Sequence, residues 1–434
     1  MPIAHELTNI AVVALVALAC GALLTRVRQP PVVGYILAGV VLGPSVLGLV
    51  QDQETVGLLA EMGVLMLLFV VGMELSLRAF RSLWRLAVVV MLLQVAVTFG
   101  VMMLLRMVMA WPIEKAVLLA FVVALSSTAV AIKMLEDIGE LRTRAGRIAV
   151  GVLIAQDLAV VPMMLVLDLM AAEGLDLLGG ARLVLALVLL FGLILVLSRR
   201  KRINLPLPIG GANQADLLPL TALVMCFGAA ALTGAMGLSP AYGAFLAGLT
   251  IGNSNQRQIM LANAMPLQSV LIMVFFLSVG LLIDLGFLWT NLGIVVVLLL
   301  VVTVLKTVVN IGVLGLLRVP WPRAFLSAVV LAQVGEFGFL LAGIAGRNRL
   351  ISEFDFQLIV TVTALSLGLS PIWLATARRL HEIAAYRQAR IKRVLRFVYG
   401  RQGRWLIGAG RGLARLGRRG LTALGIGLRA RDDA

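Results

Sequence analysis

Residues Gly151–Pro162 read GVLIAQDLAVVP, and the rest of the chain is best interpreted from this stretch. They lie within the apolar run Ile148–Leu167, in which Asp157 is the one charged residue and follows Gln156. A carboxylate at the centre of a membrane span costs about 2.5–3.5 kcal/mol on insertion scales, so such a residue usually has a function. The alternative is a protonated aspartate that joins two helices by a hydrogen bond. We favour the functional interpretation because other parts of the chain supply matching elements.

The amino-acid composition is far more apolar than that of a soluble protein of this length. Of the 434 residues, 61% are hydrophobic and 13% are charged, and long uncharged runs recur along the chain. The net charge is +16 at pH 7, and the basic residues lie between the apolar runs and in a C-terminal tail. This distribution favours a membrane surface as the partner and not nucleic acid. The sequence contains no nucleophile–base set, metal cluster or phosphate loop, so it predicts neither an enzyme nor a cofactor.

The apolar runs predict an all-α polytopic membrane protein with thirteen spans, of which the ninth is short and the eleventh is long. The spans run near 8–25, 31–49, 55–73, 86–108, 114–135, 147–168, 180–198, 217–235, 239–252, 266–283, 287–317, 323–346 and 356–377. Lys and Arg are concentrated in alternate loops, which the positive-inside rule assigns to the cytoplasm. The prediction is a plasma (inner) membrane protein of bacterial type, with the N-terminus outside and the C-terminus cytoplasmic.

Two stretches of the chain resemble each other at an offset of 209 residues. Gly34–Ser45 reads GYILAGVVLGPS in span two, and Gly243–Ser254 reads GAFLAGLTIGNS in span nine. The following spans continue the likeness, with Gly72 matching Gly280. Because the two spans run in opposite directions, the pattern predicts an inverted-topology repeat, which is typical of secondary transporters. The alternative is that small residues favour helix packing in any membrane protein.

The same register pairs span five with span twelve, and both carry polar residues and glycine near their midpoints. Span five reads ALSSTAV at Ala124–Val130, and span twelve reads AQVGEFG at Ala332–Gly338. Such clusters predict broken helices, whose free carbonyls and amides bind an ion or its carboxylate partner. The side chains that this prediction brings to the site are Ser126, Ser127, Thr128, Gln333 and Glu336. Hydrogen bonds from the hydroxyls to their own helix are the alternative.

Two further charged residues in predicted spans are candidates for the site or its pathway. Lys306 lies deep in span eleven, where its ammonium needs a carboxylate, for which Asp157 and Glu336 are candidates, or the carbonyl end of a broken helix. Snorkelling to the membrane surface is the alternative. Glu61 lies in span three, nearer the outer end. It either belongs to the ion pathway or makes a structural hydrogen bond to a neighbouring helix.

Together these stretches resemble the membrane domain of the monovalent cation:proton antiporter-2 family. This family includes the Kef-type potassium efflux systems and is related to sodium/proton exchangers. The resemblance covers about residues 8–380. It rests on GVLIAQDLAVVP around Asp157, ALSSTAVAIKML from Ala124, FFLSVGLLID from Phe275 and LAQVGEFGFLLAG from Leu331.

The resemblance implies a sodium/proton antiporter-like fold and a homodimer, with a dimerisation domain and a mobile core in which two broken helices cross. It also implies that Asp157 binds cation and proton in turn, and it maps the lysine of the core onto Lys306. The residue before the aspartate is Asp in strongly electrogenic sodium exchangers and Gln in Kef-type proteins. Gln156 therefore implies electroneutral exchange of one proton for one K⁺ or Na⁺. Its amide oxygen is a candidate neutral ligand for the cation.

The predicted domains are a transmembrane exchanger domain at 1–379 and a basic cytoplasmic tail at 380–434. Kef-type proteins commonly continue into a nucleotide-binding domain. The stretch Gly408–Gly412 is followed by Leu413 and by no strand pattern or downstream acid, so it predicts no such domain. The segment Arg378–Arg431 holds fifteen Lys and Arg among apolar residues, which favours contact with anionic lipids. A solvated, disordered tail is the alternative.

The leading hypothesis is a proton-coupled antiporter for K⁺ or Na⁺ that works by alternating access. A gated potassium efflux channel is one alternative, although the chain has no carbonyl-filter sequence and its inverted repeat favours a transporter. A transport-inactive membrane sensor that acts through the basic tail is another, and the intact Asp157 argues against it. The residues do not choose between K⁺ and Na⁺, because both bind oxygen ligands.

Overall fold

The structure, a computed structural model, describes residues 2–26, 29–50, 53–74, 84–171, 184–186, 188–190, 192–194, 196–197 and 217–379. The fold is all-α, as the apolar runs predict. The predicted tail at 380–434 lies outside the described residues, as does part of predicted span seven. The predicted lipid contact of the tail and the predicted absence of a nucleotide-binding domain therefore stay predictions.

The helices alternate with short connections along the whole described chain. In order they are α1 (Pro2–Arg26), α2 (Pro31–Leu42), α3 (Gln53–Glu74), α4 (Trp84–Met109), α5 (Ile113–Ala124), α6 (Thr128–Asp137), α7 (Arg144–Ala171), α8 (Leu217–Ala235), α9 (Pro240–Gly252), α10 (Arg257–Leu281), α11 (Leu285–Thr290), α12 (Leu292–Leu316), α13 (Trp321–Val330), α14 (Phe337–Arg347) and α15 (Glu353–Arg379). Within the described residues, eight segments are long and apolar enough to cross a membrane, and one of them combines α5 and α6. The total of thirteen spans stays a prediction.

Predicted spans two, ten and eleven differ from the helices, each for a local reason. Predicted span two ends early, at Leu42, because Gly43 takes an extended conformation before Pro44. Predicted span ten begins nine residues early, at Arg257, because the polar first turns of α10 continue the helix beyond its apolar part. Predicted span eleven is two helices, since Asp284 caps α11 and α12 restarts after Asn291.

The two predicted helix breaks are confirmed. Within predicted span five, α5 ends at Ala124 and α6 begins at Thr128. Within predicted span twelve, α13 ends at Val330 and α14 begins at Phe337. Each break therefore lies in the polar cluster that predicts it, and the backbone groups at the new helix ends need partners within the protein.

The helices pack into two bundles. The scaffold bundle consists of α1, α2, α3, α8, α9 and α10, with an apolar centre that includes Phe69, Cys226 and Ile251. The core bundle consists of α4–α7 and α12–α15, in which α12 contacts α4 and α5 on one side and α15 on another. Asp157 on α7 and both broken helices belong to the core bundle.

Two close contacts between glycines hold the scaffold bundle together, and the predicted repeat relates one contact to the other. Gly39 of α2 faces Gly280 of α10 so closely that a Cβ on Gly39 would lie 2.1 Å from the Leu277 carbonyl oxygen. Gly248 of α9 faces Gly72 of α3, and a Cβ on Gly248 would lie 1.9 Å from the carbonyl oxygen of Phe69. Because the repeat offset relates Gly39 to Gly248, the two crossings are equivalent, and they support the predicted inverted repeat.

We expect Gly39→Ala to destabilise the protein, because the added Cβ meets backbone and the helices must separate. Overpacking of this kind costs about 1–3 kcal/mol. Thermal unfolding of the detergent-purified variant measures the effect. Gly57→Ala is the matched control, because a Cβ added to Gly57 in the scaffold helix α3 would have nothing within 4 Å. A melting temperature for Gly39→Ala equal to that of Gly57→Ala would contradict the close crossing.

Candidate functional site

The first helix break exposes the carbonyl end of α5, and Lys306 of α12 binds it. The Lys306 Nζ donates to the Val123 carbonyl oxygen at 2.7 Å and to the Leu125 carbonyl oxygen at 2.5 Å. The side chain is only 2% exposed. Of the two kinds of partner predicted for this ammonium, the structure places it on the helix carbonyls and not on Asp157 or Glu336. The negative end of the α5 dipole compensates its charge.

The same break exposes the amide end of α6, and Asp157 lies beside it. The Thr128 hydroxyl, in the first turn of α6, is 3.1 Å and 3.0 Å from the two carboxylate oxygens of Asp157. The hydroxyl oxygen of Ser127 accepts from the Val130 amide at 3.3 Å and caps the helix. Asp157 is 6% exposed. A buried carboxylate at the positive end of a half-helix is arranged to bind a cation or a proton.

Gln156 ties α7 to the break and to a neighbouring helix. Its Oε1 accepts from the Ser126 amide at 3.0 Å, and its Nε2 donates to the Ala124 carbonyl at 3.0 Å and to Gln94 Oε1 at 2.9 Å. Gln94 Nε2 in turn donates to Asn310 Oδ1 at 2.7 Å. Both polar atoms of the Gln156 amide are therefore engaged. The structure places this residue as a tie between helices, and its predicted role as a cation ligand stays a prediction.

The second break crosses the first and bonds to it directly. Ser126 Oγ donates to the Leu331 carbonyl oxygen at 2.7 Å, and Gln333 Nε2 donates to the Ser127 carbonyl oxygen at 3.1 Å. The Gly335 amide donates to the Leu125 carbonyl oxygen at 3.3 Å. A Cβ on Gly335 would lie 2.8 Å from the Ser126 carbonyl carbon, so only glycine permits this approach. The two unwound segments therefore satisfy part of each other's backbone.

The two breaks are capped in equivalent ways by the helices that follow them. The Ser126 amide of the first break donates to Gln156 of α7, and the Val334 amide of the second donates to Ser366 Oγ of α15 at 3.0 Å. At the carbonyl end of α13, Asn310 Nδ2 lies 3.3 Å from the Leu331 oxygen. Asn310 is one turn from Lys306 on α12, so a single helix serves the carbonyl ends of both broken helices.

Glu336 places a second buried carboxyl group at the crossing. It lies beside the Ser127 hydroxyl and the Ala129 amide, at the N-terminus of α14. It is 9% exposed, and its Oε2 has no hydrogen-bond partner among the described residues. It is also close enough to interact electrostatically with Asp157. The crossing therefore presents two carboxyl groups, one at each amide end, together with hydroxyl and carbonyl oxygens.

Three residues of this network have no counterpart in the sequence prediction. They are Gln94, Asn310 and Ser366, each a polar residue in a long apolar run. Their polarity within apolar runs could have identified them from the sequence. The spacing of Asn310 from Lys306 and the position of Ser366 in the register of the repeat would have supported that identification. Glu61 pairs with Arg347 in the last turn of α14, and its predicted place in the ion pathway stays a prediction.

Crossing broken helices with a buried carboxylate at a half-helix N-terminus, inside an inverted repeat, define a secondary ion transporter. The chain belongs to the sodium/hydrogen exchanger family, because the family model "Sodium/hydrogen exchanger, transmembrane" matches residues 11–377. It is thus an integral membrane cation:proton antiporter and not an enzyme.

Known relatives agree with this assignment at the level of family and fold. "Iron transporter MagA" of Paramagnetospirillum magneticum is 51% identical over 399 residues, which are 92% of each chain. The glutathione-regulated potassium-efflux system protein KefC of Escherichia coli is 32% identical over 362 residues. These cover 82% of this chain and 58% of KefC. The sodium proton antiporter MjNhaP1 of Methanocaldococcus jannaschii has the same fold, with a TM-score of 0.63 and 14% identity over 86% of this chain and 98% of that one.

We expect Lys306→Ala to lower the melting temperature of the purified protein. The substitution removes the donor to the Val123 and Leu125 carbonyls, and a buried group left without its partner costs about 1–3 kcal/mol. Lys133→Ala is the control, since Lys133 forms a partly exposed pair with Asp137 in the same helix, which is worth about 0.5 kcal/mol. Equal melting temperatures for the two variants would show that the carbonyl contacts are unimportant.

Proposed function

We propose that this antiporter exchanges K⁺ or Na⁺ for H⁺ by alternating access, with Asp157 binding the cation and the proton in turn. The observation that carries the proposal is the position of the Asp157 carboxylate, buried at the amide end of α6 with the Thr128 hydroxyl as its partner. When ionised, the carboxylate attracts a cation, and when the cation leaves, a proton replaces its charge. The helix end and the hydroxyl hold the carboxylate in place in both states.

Lys306 and Gln156 keep the site in shape while Asp157 changes its partner. The ammonium and the amide occupy three successive carbonyl groups at the end of α5. They therefore fix the carbonyl end of the break without using the Asp157 carboxylate. Glu336 is the second acid that the cation meets, and its free Oε2 supports a role as a further oxygen ligand.

The oxygen donors of the site support an alkali cation as the cargo. Carboxylate, hydroxyl and carbonyl oxygens are hard ligands, whereas iron sites commonly include imidazole. Iron is the second candidate, because a relative with 51% identity is named an iron transporter. Among the described residues, no three or more His, Cys, Asp and Glu come together as a metal site. We therefore rank iron below K⁺ and Na⁺.

Exposed apolar side chains and the charge distribution support proposals for the oligomeric state and the membrane orientation of the antiporter. The apolar side chains of Leu220, Val224 and Leu232 on α8 are exposed in the single chain, which suits lipid or the second copy of a homodimer. The charge distribution supports a cytoplasmic C-terminus in a bacterial-type inner membrane, with the basic tail on anionic lipids. A channel or a transport-inactive sensor would show no proton movement coupled to a cation gradient.

We expect Asp157→Asn to abolish exchange, because an amide cannot release a proton to make way for a cation. Purified protein in proteoliposomes with an internal pH dye is exposed to steps of K⁺, Na⁺ or, without oxygen, Fe²⁺. Wild-type protein should respond to K⁺ or Na⁺, and Asp157→Asn to neither. Asp137→Asn, at the far end of α6, is the control and should retain exchange. Wild-type flux in Asp157→Asn would refute the role of Asp157, and flux driven by Fe²⁺ alone would favour iron.

We expect the exchange to be electroneutral, because we propose that Asp157 alone exchanges a proton for the cation, that Glu336 keeps its protonation state through the cycle, and that Gln156 beside Asp157 is neutral. Lys306 would add a second proton to the cycle only if it were released from the α5 carbonyls, and those carbonyls favour its charged form. Electrophysiology on a solid-supported membrane under a cation gradient tests this. A sustained current that is lost in Asp157→Asn and changes sign with the gradient would show electrogenic exchange.

A further inference from the structure

Alternating access, on which this inference rests, requires the core bundle to move relative to the scaffold bundle. Contacts that cross between the bundles are therefore the ones that differ between conformations. One such contact is apolar, between Phe276 of α10 and Phe339 of α14, whose ring centroids are 6.3 Å apart. Another is the ion pair between Glu61 of α3 and Arg347 in the last turn of α14. The ion pair joins one bundle to the other by opposite charges.

The ion pair lies at one end of the boundary between the bundles, and Glu74 lies at the other end of α3. Glu74, the last residue of α3, is close enough to interact electrostatically with Asp157. Glu61 and Glu74 are thirteen residues apart on α3, which corresponds to about 20 Å along the helix. In this conformation the bundles are therefore joined by charge at the Glu61 end of α3, and movement between them is less restricted at the Glu74 end.

Arg347 also has an alternative partner within its own bundle. Asp168 of α7 is close enough to Arg347 to interact with it electrostatically. When the bundles separate at this end, Arg347 can leave Glu61 and remain beside Asp168. The guanidinium therefore keeps a carboxylate partner in both arrangements, as a two-state element requires.

We propose that the Glu61–Arg347 ion pair holds the bundles together at this end and favours the conformation in which Asp157 communicates with the Glu74 end. Glu61 and Arg347 side chains are both more than half exposed, so the pair is weak. An exposed pair changes a conformational equilibrium by about fivefold at most, which adjusts the equilibrium without blocking the cycle.

The Lys115–Asp355 ion pair provides a matched control. Lys115 Nζ lies 2.6 Å from Asp355 Oδ1, and the pair joins α5 to α15. Both helices belong to the core bundle, so this contact does not cross the boundary. If the Glu61–Arg347 pair acts on movement between the bundles, changes to that pair should alter transport, whereas the same changes to the Lys115–Asp355 pair should not.

The first experiment joins the bundles covalently. In a background with Cys20→Ala and Cys226→Ala, the pair Glu61→Cys with Arg347→Cys is treated with a reducible bifunctional thiol reagent in proteoliposomes. We expect cross-linking to arrest cation-driven proton flux and reductant to restore it, which also shows that the variant is folded. The pair Lys115→Cys with Asp355→Cys should keep its flux when cross-linked. Continued flux in the cross-linked Glu61/Arg347 protein, or equal arrest in the control pair, would overturn the proposal.

The second experiment neutralises the charge. We expect Glu61→Gln to change the apparent KM for the cation by up to about fivefold, because the conformational equilibrium shifts. The double variant with Arg347→Gln should add little to this change, whereas Lys115→Gln should leave KM as in the wild type. An unchanged KM in Glu61→Gln would refute a role in the equilibrium. Failure of this proposal is distinct from failure of the transport site, because Asp157→Asn tests the site while leaving Glu61 and Arg347 in place.

Discussion

Two helices of this protein stop and restart inside a membrane-spanning domain, and the backbone groups left free at those points must be satisfied without bulk water. Several buried polar residues of the core bundle serve this requirement. Lys306, Gln156 and Asn310 donate to the carbonyl ends of α5 and α13. Gln156 and Ser366 accept from one amide in each break. The crossing is therefore specified by hydrogen bonds.

This arrangement separates the two buried charges of the site. The broken helix formed by α5 and α6 offers a negative end to Lys306 and a positive end to Asp157, so each charge is compensated by a helix end and not by the other charge. A direct ion pair would have to break before the carboxylate could accept a cation, and breaking a buried pair costs about 3–5 kcal/mol. Compensation by helix ends therefore suits the exchange of partners that we propose for Asp157.

The sequence predicts where the two helices break, because local composition changes there. It does not predict which groups the site residues bond to, because those partners come from other helices. The clusters at Ala124–Val130 and Ala332–Gly338 mark both breaks, because polar residues and glycine interrupt apolar runs there. The partner of Lys306 could not be predicted from spacing, since both carboxylates and helix carbonyls can bind an ammonium and the sequence contains candidates of both kinds. The second hydrogen bond that Gln156 Nε2 donates depends on Gln94, which lies on a helix that spacing alone does not bring near.

The two bundles are built by different interactions, and this difference explains which of them carries the site. In the scaffold bundle, backbone meets backbone at Gly39–Gly280 and Gly72–Gly248, where even a methyl group would not fit. Such contacts have one close-packed arrangement and resist sliding. In the core bundle, side chains bridge the unwound segments, and the acids at the half-helix ends remain available to a ligand. The hydrogen bonds that shape the site lie within the core bundle, so the alternating access that we propose could move the core as a unit beside the scaffold without breaking them.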